Sequence, residues 1–321
     1  MRVLVTGATG FVGRALVPAL IATGHEVAVQ VRKTPVPAFA VDVTVHLVPD
    51  IGPGTDWAGT LSGIDAVVHL AGRVHVMNER AADGQAEFDR VNAAGTECLA
   101  LAASAEGVRR FVYMSTIKVM GDEPQGAAFS ETDTPDPGDP YGASKLAGEQ
   151  ALLSVVKNSS LEPVILRPPL VYGPGTKGNV LSLLKICRMA PPLPFGGINN
   201  QRSLIFVGNL ADVVCACLEN PKAAFETFFV RDGEDLSTPD LIRRIGEALN
   251  KPVRLFAVPP VVLRLAGQMT GKSSIVDRLL GSQQINDDKI RSQLAWTPPF
   301  NVVQGLDKMA TWFISSNDGT S

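Results

Sequence analysis

MRVLVTGATGFVG, Met1 to Gly13, begins as an apolar β-branched run, breaks into a glycine-rich turn and continues as the start of a helical pattern. A strand that passes through a tight turn into a helix is the first half of a βαβ unit. Gly7 permits the turn, Gly10 lets backbone approach a pyrophosphate, and Gly13 lets helix and strand pack closely. The first-turn N–H groups of such a helix have no intrahelical partner, and with the macrodipole they favour a bound diphosphate. Glycines at this spacing are weak evidence alone. Their place between a strand and a helix makes the stretch a dinucleotide-binding turn.

Outward from this turn, strand and helix patterns alternate. FVGRALVPALIATG reads as a helix ending at Gly24, and EVAVQVR, VTVHLVPD, DAVVHLAG, RFVYMST and EPVILRPP as further strands. Helical stretches such as AEFDRVNAAGTECLALAASAEG lie between them. Apolar strands separated by helices predict a parallel sheet covered on both faces, a doubly wound α/β fold. After Pro168 the alternation stops, and Gly, Pro and Asn are dense up to Asn200. LADVVCACLEN and TFFVRDG then read as one more helix and strand of the first sheet. From about Thr238 the chain is mostly helical, with Ser237 or Thr238 as the leading cap and Pro239 in the first turn. The expected organisation is an NAD(P)-binding Rossmann domain over residues 1–168, completed by about 204–232. A smaller, mostly helical substrate domain takes 169–203 and 233–314, and residues 315–321 are a frayed tail.

Of the 321 residues, 45% are hydrophobic and 19% charged, a globular balance long enough for a large domain and a smaller one. The net charge of −3, with no basic block, argues against a nucleic-acid partner and still allows a local basic cleft. Cys98, Cys187, Cys215 and Cys217 lack metal-ligand spacing and read as structural thiols, so no metal site is expected. With a strand reading from Arg2, no signal peptide is expected. No apolar run reaches the roughly 20 residues of a membrane span. PPVVLRLAG, Pro259 to Gly267, is too short and carries Arg264. The expectation is a cytoplasmic protein without a membrane partner.

The end of the second strand bears on the choice of cofactor. An NAD site usually has an acidic residue there for the adenosine ribose. Here the strand ends QVRK, with Arg32 and Lys33 and no carboxylate, which suits the 2′-phosphate of NADP(H) and leaves NAD(H) open. Asp50, after the third strand, is placed to accept from the adenine amino group.

DPYGASKLAGEQ, Asp139 to Gln150, sets Tyr141 and Lys145 four residues apart at the start of a helix, with Asp139 as cap and Pro140 at the first helical position. The two side chains share a face. A free tyrosine titrates near about 10, and a neighbouring ammonium is expected to lower that value and make the phenol a proton relay. Lys145 also has donors to spare for a cofactor ribose. RFVYMST ends in Ser115 and Thr116, and strand alternation aims only one of these hydroxyls at the cleft.

TGATGFVG, HLAG, the Ser-Thr strand end, YGASK and RPPLVYGPG, in this order and spacing, resemble the extended short-chain dehydrogenase/reductases over nearly the whole chain. The resemblance implies Thr116, Tyr141 and Lys145 as the catalytic set. It also implies that Gly7, Gly10, Phe11, Val12, Gly13, Asp50, Ile51, Leu70, Ala71, Gly72 and Pro168 line the cofactor, and that helices flanking the sheet pair into a homodimer. Within that superfamily the chain is similar to nucleotide-sugar enzymes. It is most similar to bacterial reductases of UDP-4-keto-6-deoxy-N-acetylhexosamines in O-antigen and capsule synthesis, sequences often labelled UDP-glucose 4-epimerases. RVHVMNE, STIKVMGD, NNQRSLIFVGNLADVV, RLLGSQQIND and LAWTPPFNVVQGL carry that likeness.

For a UDP-sugar, the resemblance implies Asn179 at the diphosphate and Arg202 as a guanidinium grip on the phosphates. It places Phe195 against uracil, and His75 and Lys118 where the sugar sits. Sugar epimerases usually carry a C-terminal arginine in an arginine-acid-glycine-aspartate setting, and FAVPPVVLRLAG lacks it. Arg278 either grips the diphosphate in its place or is a helix-surface charge.

The leading expectation is NAD(P)H-dependent reduction of the C4 ketone of a UDP-4-keto-6-deoxy-N-acetylhexosamine. The alternative is UDP-sugar C4 epimerisation with tightly bound NAD. A remote third is a non-catalytic NADP-sensing regulator, which would not need Thr116, Tyr141 and Lys145.

Overall fold

The computed structural model describes residues 1–33, 42–74, 81–124, 126 and 128–318. In chain order the elements are β1 (Arg2–Thr6), α1 (Phe11–Ala22), β2 (Glu26–Val31), β3 (Thr44–Leu47), β4 (Ala66–His69), α2 (Ala81–Asp89), α3 (Gly95–Ala105) and β5 (Arg110–Met114). They continue with α4 (Pro140–Val156), β6 (Glu162–Arg167), β7 (Leu170–Tyr172), α5 (Gly178–Met189), β8 (Leu204–Phe206), α6 (Val207–Glu219) and β9 (Glu226–Phe229). Five helices follow: α7 (Thr238–Ala248), α8 (Pro260–Met269), α9 (Ser273–Leu280), α10 (Asp288–Leu294) and α11 (Val302–Asp318).

Seven strands form one parallel sheet in the order β3-β2-β1-β4-β5-β6-β9. Successive side chains of a strand face opposite sides, and both sides here are apolar. Val3 and Val5 of β1 enter one buried cluster with Leu16 and Leu20 of α1 and Val213 and Val214 of α6. Leu4 enters the other, with Leu99 and Ala103 of α3 and Leu152 of α4. The four buried positions of α1, Gly13, Leu16, Val17 and Leu20, recur at helical spacing. Burial on both faces explains why the strands read as continuous apolar runs.

The strand order reverses between β1 and β4, so their carboxyl ends flank a crevice. β9 joins the sheet beside β6, where TFFVRDG was expected to add a strand.

The glycine- and proline-rich stretch after Pro168 is more regular than its composition indicates. β7 and β8 pair as a small parallel sheet. With α5, α7 and α11 they enclose a third cluster built on Leu184, Phe206, Ile242, Ile245, Leu306 and Phe313. The last helix runs to Asp318, into residues 315–318 where a tail was expected, because Phe313 is anchored in that cluster. Among the described residues, no helix is long and apolar enough to cross a membrane.

Candidate active site

The glycine turn closes the floor of the crevice. Gly7 holds a φ of +69°, and a Cβ there would lie 2.7 Å from the backbone nitrogen of Ala71, just past β4. A Cβ on Gly13 would sit 2.5 Å from the Ala8 carbonyl oxygen, so only glycine lets α1 pack this close. Gly10 caps α1 without a side-chain hydrogen bond, which leaves the first-turn N–H groups to an external acceptor. Phe11 and Val12 open the helix, and Leu70, Ala71 and Gly72 form the opposite wall. Pro168, buried at the end of β6, accepts a 2.9 Å hydrogen bond from the Ile117 N–H. These residues fit the diphosphate of a dinucleotide.

At the other end, a cavity of ≈ 690 Å³ is lined by residues that include Leu47, Asp50, Gly52, Thr55 and Arg90. Ile51 is buried beside it. Arg32 stands exposed at the end of β2. Asp50, expected to accept from the adenine amino group, is paired with Arg90. Both its oxygens take hydrogen bonds from Arg90, at 2.7 and 3.1 Å, and this pairing holds the carboxyl below the usual range. Arg90 bonds Glu87 as well and is held firmly cationic.

Thr116 follows the carboxyl end of β5 and its side chain interacts with Tyr141, which opens α4 one turn before Lys145. Ser115 and Thr116, both just past the end of β5, have different partners. Ser115 is buried and donates to Glu149, whereas the Thr116 side chain hydrogen-bonds Tyr141. Asp139 caps α4 by accepting from the Gly142 N–H at 2.7 Å, which fixes the helix start and the position of Tyr141. Phe88 packs edge-on to the Tyr141 ring at 6.2 Å.

The electrostatics of the pair contradict the sequence expectation. Burial pushes the Tyr141 phenol up to about 12, with the Asp139 carboxylate adding to the rise and the Thr116 hydrogen bond opposing it. Burial pushes the Lys145 ammonium down to about 7, opposed by the Glu149 carboxylate one turn along. Desolvation disfavours either charged form. In this dry pocket it outweighs the acidifying influence expected of Lys145, which turns its ammonium over the ring of Tyr113 instead.

Behind these residues lies a buried polar layer that the sequence reading missed. α2 and α3 are joined by a π-helical turn, Arg90–Ala94, which carries the buried Asn92. Its side-chain amide donates to the Ser144 hydroxyl at 2.9 Å and the Arg73 carbonyl at 3.0 Å, and it accepts from the Arg73 N–H at 2.7 Å. Ser144 in turn donates to the Tyr141 carbonyl at 2.8 Å. One extra residue per turn frees a carbonyl for such contacts, and π-turns are frequent at functional sites. The signal available was weak: an asparagine among the small residues of VNAAG, within a helical run that also carries charges. Glu149 and Arg167 form a second buried anchor, with bonds of 3.0 and 2.5 Å.

The expected substrate residues are more scattered. Lys118 is ion-paired with Asp122, and Asp139 lies 3.8 Å away, so its charge is already matched. Asn179 is exposed in the first turn of α5. Phe195 is half-buried against the third cluster, where its ring serves packing. Arg202 donates to the carbonyl oxygens of Arg278 at 2.7 Å and Gly281 at 3.1 Å, and to the Gln283 side chain at 3.3 Å. Arg278 is exposed nearby, and its charge contributes to lowering the Arg202 pKa, after burial. His75 lies outside the described residues. Asn200, not singled out in the sequence, ties this region together through Thr238, Leu279 and Gly281. The four cysteines are free, and burial pushes the thiols of Cys187 and Cys215 up to about 11.

Comparison with known proteins sets this geometry in a family. A UDP-glucose 4-epimerase from Vibrio cholerae is 40% identical over 319 residues, 98% of this chain and 96% of that protein. The N-acetyl-α-D-glucosaminyl-diphospho-ditrans,octacis-undecaprenol 4-epimerase of Escherichia coli O157:H7 is 27% identical, over 96% and 93% of the two chains. The fold matches a UDP-glucuronic acid 4-epimerase from Bacillus cereus crystallised with NAD, at a TM-score of 0.80 and 23% identity over 100% of this chain and 99% of that one. Residues 3–230, which hold the whole glycine turn and the Tyr141–Lys145 pair, match the NAD dependent epimerase/dehydratase family. By this match and the full-length likeness, the chain belongs to the NAD dependent epimerase/dehydratase family, within the extended short-chain dehydrogenase/reductases.

Proposed function

We propose that this enzyme epimerises C4 of a UDP-sugar with NAD held through the cycle, and that Thr116, Tyr141 and Lys145 are its catalytic set. The observation that carries the reading is the 40% identity to a UDP-glucose 4-epimerase along 98% of the chain. The hydrogen-bonded Thr116 and Tyr141 at the carboxyl edge, beside the dinucleotide cradle, support it. A bound nicotinamide would supply the hydride acceptor and donor. As phenolate, Tyr141 would take the C4 hydroxyl proton as that carbon is oxidised, and as phenol it would give the proton back to the C4 oxygen as the ketone is reduced. Thr116 holds the same oxygen and its hydrogen bond works to lower the raised phenol pKa, while Lys145 has donors for the cofactor ribose. Arg202 and Asn179 hold the diphosphate, so that remote binding energy positions the sugar, and Arg278 is left as a helix-surface charge.

A second reading, reduction of a UDP-4-keto-6-deoxy-N-acetylhexosamine, is favoured by one observation: the exposed Arg32 at the end of β2, which suits NADPH. The same three residues serve one half of the cycle. The two readings separate in one experiment. Purified protein is denatured and its released nucleotide identified, while intact protein is given UDP-glucose or UDP-N-acetylglucosamine without added cofactor and followed by NMR. Stoichiometric NAD and appearance of the C4 epimer support epimerisation. Absence of both, with NADPH oxidised on addition of the 4-keto sugar nucleotide, replaces it with the reductase.

A further inference from the structure

PPVVLRLAG is too short to span a membrane, yet its helix has an unusual surface. At 100° per residue, positions 261, 262, 265, 266 and 269 of α8 fall within an arc of about 140°. All five are apolar and exposed, with Val261 at 65%, Leu265 at 54% and Met269 at 89%. The opposite side is the one that packs: Leu263 is half-buried and Gly267 buried, and a Cβ on Gly267 would lie 2.8 Å from Val276 of α9. α8 is therefore apolar on both sides, and only one is covered. Ile275 of α9 is exposed on the same hairpin.

Charge indicates what covers the other side. Between residues 251 and 280 stand Lys251, Arg254, Arg264, Lys272 and Arg278, all exposed, in a chain whose net charge is −3. The sole carboxylate in that span, Asp277, lies 3.8 Å from Arg264. A second copy of this chain, placed symmetrically on the stripe, would set these cations against themselves. A surface that is apolar below and anionic above matches both features.

We propose that the α8–α9 hairpin docks the protein on the surface of an anionic lipid bilayer. The apolar stripe lies at the boundary of headgroups and acyl chains, and the exposed Arg264 and Lys272 of the hairpin lie at phosphate level. A helix in the interface plane needs no spanning length, so the expectation of no membrane partner, drawn from the length of PPVVLRLAG, does not reach this mode. Arg202, bonded to the Arg278 and Gly281 carbonyls, ties the end of the hairpin to the rest of the protein.

The test is flotation of the full chain with vesicles of phosphatidylcholine alone or with about one third phosphatidylglycerol. Co-flotation is expected with the anionic vesicles, weakening as salt is raised. L265S/M269S, which changes only exposed side chains, is expected to lose at least about tenfold in vesicle affinity with an unchanged melting curve. R264Q/K272Q is expected to weaken binding and flatten its salt dependence, and a tryptophan at position 265 (L265W) to shift its emission to the blue on anionic vesicles. Failure to float with anionic vesicles, or equal binding by L265S/M269S, overturns the proposal. So does an oligomer in light scattering that L265S/M269S dissociates, since the stripe would then be covered by protein.

Discussion

The ammonium of Lys145 lies 4.0 Å from the centroid of the Tyr113 ring, and His69 stacks beside that ring at 5.8 Å. All three are buried. A cation–π contact out of water is worth about 2 kcal/mol, so Tyr113 is a candidate for positioning Lys145. Tyr113→Leu is expected to reduce kcat roughly tenfold or more, while Tyr113→Phe, which keeps the ring face, stays within about threefold of wild type. Equal kinetics for Phe and Leu at this position would remove the role.

Tyr141→Phe is expected to lower kcat by about 10²–10⁴-fold without loss of dinucleotide binding, as read by fluorescence titration. Retention of near-normal turnover by this variant would end the catalytic assignment of the phenol.

The depressed Lys145 pKa predicts a direction for stability against pH. The group binds a proton below about 7 in the folded protein, but below its ordinary value near 10.4 when unfolded. Between those values the unfolded state holds more protons, so stability from this group rises with pH and the penalty is largest below about 7. Relative to Lys145→Met, the cofactor-free protein should gain up to about 2 kcal/mol between pH 7 and 9. Parallel denaturation curves for the two proteins across that range would contradict the pKa.

Glu149 and Arg167 are 2% and 8% exposed, and the carboxylate also accepts from Ser115. Glu149→Leu leaves a buried guanidinium without its counter-charge and should cost about 3–5 kcal/mol in urea denaturation. Glu149→Leu with Arg167→Met removes both charges and should be less destabilising than Glu149→Leu alone. The reverse order would mean that the pair itself stabilises the fold.

Arg32 tests the cofactor. On the reductase reading, Arg32→Asp is expected to raise the NADPH KM at least about tenfold while NADH use changes little, whereas on the epimerase reading turnover with held NAD is unaffected. An unaltered ratio of the two would place the 2′-phosphate, if any is bound, away from β2.

The sequence by itself determined whatever depends on a residue and its near neighbours. Gly7, Gly10 and Gly13 between a strand and a helix, the Asp139–Pro140 helix start, and apolar strands alternating with helices all state local requirements of backbone and periodicity. The doubly wound sheet and the placing of Tyr141 and Lys145 one turn apart at a helix start follow from them, whereas Thr116 was picked out by resemblance to a family. Tertiary structure alone decided how those groups are charged and what they touch. The phenol is less acidic than spacing implied, because desolvation depends on burial, and burial is set by chain segments far away in sequence. Asp50 meets Arg90, Lys145 meets Tyr113, and β7 meets β8 for the same reason. The open side of α8 was hidden for a related one: a sequence shows which residues of a helix are apolar, but only packing decides which of them are left uncovered.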